Sequence, residues 1–189
     1  MGRWEPDSRG RLQEAALALF AERGYDQTTA AEIAARAGLT ERTFFRHFAD
    51  KREVLFGGSD LLKERVVAAV AGAPASAGPL DAVASGLDAA AATVGESRRD
   101  LSLQRLAVIA ATPELREREL AKAADSAAAV AAVLRDRGTT EPQATVAAET
   151  AMVVFRIALE QWATGEDDRD LAVIVRASLA GLRELAAGA

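Results

Sequence analysis

Apolar residues recur every three or four positions along most of this chain, and strand-like alternation of β-branched residues is absent. Leu12, Ala15, Ala16, Leu19 and Phe20 predict a helix over about 8–23, stopped by Gly24. Thr29 is a good N-cap, and Glu32 three positions later completes a capping box for a second helix ending at Gly38. Thr40 caps a third, running only to about Phe48. A fourth begins near Asp50, with Val54, Leu55, Leu61, Leu62 and Val66 on one broad side. Gly57-Gly58 weaken its second turn and are expected to bend it.

Residues 72–79, GAPASAGP, read as a linker of small residues. A helix over about 80–94 follows. Another starts at Ser97, with Asp100 at its third position, and ends before Thr112. Thr112-Pro113-Glu114 supplies a cap, a first-turn proline and a first-turn acid for a helix to about Arg137, stopped at Gly138. Thr140 and Gln143 open a helix over about 141–164, ended by Gly165. Acidic Glu166-Asp167-Asp168 leads into a last helix to about Ala186. The expected fold is all-α with about nine helices. No fixed-period repeat is present, and the alanine-rich runs near 88–92 and 127–132 read as close helix contacts.

Charge sharpens this plan. The net charge is −5 over 189 residues. The first 56 residues balance nine basic against nine acidic side chains, so the remainder carries the whole deficit. Within 36–52 the balance is five basic to two acidic. A locally basic patch on an acidic chain fits a small DNA-binding head on an acidic body. There is no cysteine and one histidine, His47, which excludes disulfides, thiolate zinc sites and cysteine catalysis. No metal site, cofactor or metal effector is expected. No apolar run reaches the ~18 residues of a membrane span, and the N-terminus MGRWEPDSRGR is polar. The expectation is a cytoplasmic protein with no membrane partner.

The segment that carries chemistry is TTAAEIAARAGLTERTFFRHFADKREVLF, residues 28–56. Two short helices meet at Gly38-Leu39, with small Ala34 on the inner face, which is how a helix-turn-helix is built. The third helix spans roughly 13 Å at 1.5 Å per residue, the right size for one pass of a major groove. Ile33, Ala37, Leu39, Phe44 and Phe48 can bury against the first helix. Glu41, Arg42, Phe45 and Arg46 are left facing outward. No carboxylate or nucleophile is placed to orient His47 for catalysis, and no acid–base constellation points to an enzyme.

These residues resemble the TetR family of transcription regulators. The pattern T-T-x-x-x-I-A-x-x-A-G-[VL]-[ST]-x-x-T-x-[YF]-x-x-F-x-x-K is met from Thr28 through Lys51. The resemblance implies a head over 1–50 and a ligand-binding, dimerising body over 51–189. It implies that Thr40 caps the reading helix, that Glu41, Arg42 and Thr43 sit at its groove end, and that Arg46 and His47 reach bases or backbone. Thr28, Thr29 and Lys51 take phosphate-clamping positions. Phe45 stands where the family commonly has a phosphate-binding Tyr, which leaves a thymine methyl or a sugar as its contact. Arg3, Arg9 and Arg11 read as an arm on DNA or as a solvated polar terminus.

In the body, the helix over 141–164 is apolar nearly all round, with Val146, Met152, Val153, Val154, Phe155, Ile157, Leu159 and Trp162 pointing several ways. Such a helix needs cover on every side. The last helix carries a stripe of Leu171, Ile174, Val175, Ser178, Leu179, Leu182 and Leu185. The family's last two helices form a two-fold interface, so a homodimer is expected, on an imperfectly palindromic operator with half-sites one helical turn apart. Candidate cavity residues are Leu103, Leu106, Ile109, Phe155, Leu159 and Trp162, with Gln104, Arg105 and Arg156 as polar anchors. The plainer reading is core packing, with Arg156 paired to Glu160 on a surface. The resulting expectation is a repressor released by a small apolar or amphipathic effector. The alternatives are an activator of the same fold, or a binding module whose head no longer meets DNA.

Overall fold

A computed structural model describes residues 8–94, 99–165 and 169–188. Its helices are α1 (Ser8–Arg23), α2 (Ala30–Arg36), α3 (Glu41–His47), a short 3-10 helix (Glu53–Phe56), α4 (Ser59–Ala71), α5 (Pro79–Val94), α6 (Arg99–Ala111), α7 (Pro113–Asp136), α8 (Gln143–Thr164) and α9 (Leu171–Ala187). No strand occurs among the described residues, so the fold is all-α as the periodicity predicts. Ser97 and Glu166-Asp167-Asp168, assigned above to a helix start and an acidic lead, lie outside the described residues, as does Arg3.

The chain divides into two compact units. The first takes in the described residues up to Gly58 together with Gln104–Glu119; the second takes in those of Ser59–Leu103 and Leu120–Ala189. In the first unit, α2 packs on α1 and α3, and the 3-10 helix packs on α1. Leu12, Ala16, Ile33, Phe44 and Val54 are almost wholly enclosed there, joined by Leu115 of α7. In the second, α5 lies against α4, α8 and α9, and α8 packs along α9. A side chain at Gly86 would meet Val70 Cγ2 at 2.7 Å and Val66 Cγ1 at 3.1 Å, so glycine permits the close crossing of α4 and α5.

The expected fourth helix is the main correction. It does not run on from Asp50. Asp50 Oδ1 accepts the backbone N–H groups of Arg52 (2.8 Å) and Glu53 (3.0 Å), which starts a single 3-10 turn instead. The α-helix resumes only at Ser59, past Gly57-Gly58, and Leu61 is half exposed rather than on a buried face.

Gly57 does more than loosen a helix. Its φ of −59° is ordinary, but a Cβ there would lie 2.7 Å from Phe48 Cε1 and 3.1 Å from Gln13 Nε2. Arg9 also donates to its carbonyl. Gly58 has nothing within 4 Å of its Cβ position. Gly57→Val should therefore lower the unfolding free energy by about 1–3 kcal/mol, the usual range for overpacking. Gly58→Ala should stay within about 0.5 kcal/mol. Urea melts of the two variants check the contrast; equal stabilities would refute the packing role.

Candidate nucleic-acid interface

The helix-turn-helix is built from two caps and one aromatic anchor. Thr29 Oγ1 accepts the Glu32 N–H at 3.2 Å while the Glu32 carboxylate accepts the Thr29 N–H at 2.9 Å, the reciprocal capping box that starts α2. The Thr29 N–H, and then the Thr29 hydroxyl, both donate to the Glu32 carboxylate at 2.9 Å and hold it below its usual range. Gly38 at φ +69° turns the chain. Thr40 Oγ1 then accepts the Thr43 N–H at 3.2 Å and pairs with its hydroxyl at 3.0 Å, opening α3. Phe44 is fully enclosed, with its ring 5.6 Å from that of Phe48. That anchor turns Glu41, Arg42, Phe45 and Arg46 outward, all four of them exposed.

Electrostatics separate the basic side chains. Arg36 pairs with Glu22 at 2.6 Å, Arg23 with Glu32 at 3.1 Å and Arg52 with Asp50 at 2.8 Å. Arg42 and Arg46 make no hydrogen bond or ion pair among the described residues. Among the described residues, the uncommitted cations of this head thus stand on the outer face of α3. Such guanidinium groups can take guanine O6 and N7 as a bidentate pair, or a phosphate.

Two of the residues carried over by resemblance do different work. Thr28 is 1% exposed, and its hydroxyl donates to the Gly24 carbonyl at 2.9 Å, so no side-chain surface remains for a phosphate. Lys51 Nζ donates to the carbonyls of Tyr25 (2.9 Å) and Thr28 (3.2 Å) and lies 4.1 Å from the Tyr25 ring centroid. It fixes the α1–α2 turn rather than reaching outward. Arg9 belongs to α1, with its guanidinium 5.4 Å from the Phe48 ring, and is not an arm. Arg11 is half-buried on the same helix. His47 is half-buried, and its Nε2 has no partner among the described residues. Burial first, then the charges of Arg46 and Arg9, push its pKa below the ordinary histidine value. His47 is the last residue of α3.

A cluster beneath the head escaped the sequence reading. Tyr25, the single tyrosine, is buried against Phe20 with ring centroids 5.1 Å apart. Burial, and then its hydrogen bond to Glu114, drive its hydroxyl well above the usual tyrosine range. Arg118 pairs with Glu53 at 2.7 Å. Arg105 donates to the Leu55 carbonyl at 2.9 Å, pairs with Glu119 at 3.0 Å and stacks 5.3 Å from the Phe56 ring. These contacts join the α6–α7 corner to the head. The only available signals were a lone tyrosine and charges alternating along 114–119, and neither has a fixed spacing to the head.

The proposed cavity residues separate. Gln104, Arg105, Leu106 and Ile109 belong to the first unit, and Leu103, Phe155, Arg156, Leu159 and Trp162 to the second. Arg105 is committed to the head, and Arg156 pairs on the surface with Glu160 at 3.0 Å, so neither is a cavity anchor. Gln104 and Leu103 are exposed, while Leu106, Phe155 and Leu159 are half-buried. Ile109 and Trp162 are core residues. Arg99, unnoticed in the sequence, donates to the Trp162 carbonyl at 2.7 Å with its guanidinium 5.5 Å from the indole. It closes the C-terminal end of α8. No described helix is long and apolar enough to cross a membrane.

A capped helix-turn-helix with unpaired arginines on its second helix, followed by six further α-helices among the described residues, defines the class of all-α helix-turn-helix proteins. The model of "Bacterial regulatory proteins, tetR family" matches residues 12–56, and that of the "MftR C-terminal domain" matches residues 77–187, more than half of the chain. The chain belongs to the TetR family. The transcriptional regulator TcmR of Streptomyces glaucescens is 41% identical over 76 residues, covering 40% of this chain and 34% of that one. The transcriptional repressor KstR2 of Mycobacterium tuberculosis is 47% identical over 47 residues, 25% of this chain and 24% of that one. The matched stretches thus span about a third and about a quarter of these relatives' lengths. Among solved structures, the TetR-family repressor FadR of Thermus thermophilus, in complex with lauroyl-CoA, is 26% identical with a TM-score of 0.56 over 91% of both chains. SmeT bound to triclosan is 21% identical with a TM-score of 0.62 over 92% of this chain and 90% of that one, a likeness of fold alone.

Proposed function

We propose that this protein is a homodimeric, ligand-responsive transcriptional repressor that reads an imperfectly palindromic operator through α3 and releases it when a small apolar or amphipathic molecule binds the body. The observation that carries this reading is the pair of uncommitted arginines, Arg42 and Arg46, on the outward face of a capped α3. The FadR complex with an acyl-CoA supports the amphipathic class of effector. Glu41, Arg42, Phe45 and Arg46 meet the groove, Thr29, Thr40 and Thr43 order the helix ends beside it, and Thr28 and Lys51 hold the turn between α1 and α2. Coupling is reciprocal: an effector that weakens operator binding binds the operator complex less tightly by the same factor.

The dimer surface is the outward side of the last two helices. Val146, Val153 and Ile157 of α8 are 60%, 48% and 46% exposed at positions that fall on one side of the helix, and Val173 of α9 is 44% exposed beside exposed Ala177 and Ala180. Such a surface of branched and small side chains suits packing against its own two-fold copy. A duplex pool with randomised positions, selected by the full chain, should yield inverted repeats with half-site centres about 10 base pairs apart or a multiple of that. Val153→Glu with Ile157→Glu should convert the dimer to a monomer by light scattering and abolish binding to the full repeat at concentrations where the native chain is saturated. A native chain that is monomeric at micromolar concentration, or a selection that enriches nothing, would sink the reading.

A further inference from the structure

The geometry points to Phe45 as a reader of thymine methyl groups in the major groove, an inference that rests on α3 being the element that enters it. Phe45 is 52% exposed and is the single aromatic residue among the large exposed apolar side chains of the described residues. At 100° per residue it sits about 40° round the helix from Glu41 and about 100° from Arg46, inside the outward arc rather than at its edge. Its ring meets that of Phe44 edge-on, with centroids 5.4 Å apart and planes at 83°. Phe44 is fully enclosed and packed on Phe48, so the volume behind Phe45 is filled and its ring cannot fold inward.

The chemistry narrows the partner. A phenyl ring has no atom that hydrogen-bonds a base edge or a phosphate. The apolar feature that the major groove offers is the C5 methyl of thymine. Arg42 and Arg46, one three positions before Phe45 and the other immediately after it, are uncommitted. They hold the helix against polar edges and phosphates while the ring covers a methyl. Phe45 then supplies sequence preference that the arginines do not, because a methyl distinguishes thymine from cytosine at the same groove position.

Deoxyuridine removes that methyl and nothing else. The full chain first selects a duplex from a randomised pool. Each thymine of that duplex is then replaced by deoxyuridine in symmetric pairs, and affinity is measured by fluorescence anisotropy. At one position in each half-site the native chain should lose about fourfold in affinity per half-site, the equivalent of burying one methyl-sized group. The Phe45→Ala chain should bind the thymine and uracil duplexes equally. If the native chain is insensitive to uracil at every position while Phe45→Ala weakens all duplexes alike, Phe45 rests on the sugar-phosphate backbone and the assignment is overturned. If no duplex is enriched at all, the DNA-reading role of α3 falls and this inference falls with it.

Discussion

Replacing Arg42 and Arg46 together by alanine is expected to lower affinity for the selected operator by at least about 100-fold. A well-placed bidentate arginine contributes about 1–3 kcal/mol of base discrimination, and the proposed dimer would lose each contact twice. Even the lower figure, for one of the two arginines, leaves about 2 kcal/mol across both half-sites; contributions from the second bring the loss to 100-fold or beyond. The salt dependence should fall too. Each phosphate neutralised by a side chain adds about 0.9 to the slope of log affinity against log salt. Whichever of the four lost arginines touch phosphate therefore flatten the slope by about one each. The variant should fold as the native chain does, because neither side chain makes a hydrogen bond or ion pair among the described residues. Arg36→Ala is the internal comparison. Arg36 is also basic, exposed and in the head, but its guanidinium already holds the Glu22 carboxylate at 2.6 Å. It should cost far less affinity. Unchanged binding and an unchanged slope in the double variant would remove α3 from the interface.

This contrast also shows where the sequence was readable. Caps and turns are local, so Thr29 with Glu32, Gly38 and Thr40 could be placed from spacing alone, and the structure has each in its expected role. The inward and outward sides of α3 followed from Phe44 and Phe48, four residues apart. Long-range partners were not readable. Thr28 and Lys51 fit a binding pattern by position, yet both are occupied by carbonyls of the α1–α2 turn. Arg105 looked like a polar group for a cavity, but its partners are 50 residues away at Leu55 and 14 away at Glu119. The break before α4 was underestimated for a similar reason. Gly57 reads as a weak helix former, and only the approach of Phe48 shows why nothing larger fits.

The adjacent phenylalanines give the largest expected difference in stability. Phe44→Ala should destabilise the protein by about 3–5 kcal/mol, the usual range for removing a fully buried phenylalanine from a core. Phe44 has no exposed surface and contacts the rings of both Phe45 and Phe48. Its loss leaves a cavity where α3 is held to the rest of the head, so operator binding should fall with stability. Phe45→Ala removes a ring of the same chemistry from the next position. That ring is 52% exposed, and its one recorded ring contact is with Phe44. It should cost at most about 1 kcal/mol, the scale of a single edge-to-face aromatic pair, and its effect should appear in the choice of operator sequence. Urea denaturation monitored by circular dichroism separates the two variants. Equal stabilities would mean that α3 is rotated from the orientation described, and the outward face on which the arginines stand would have to be redrawn.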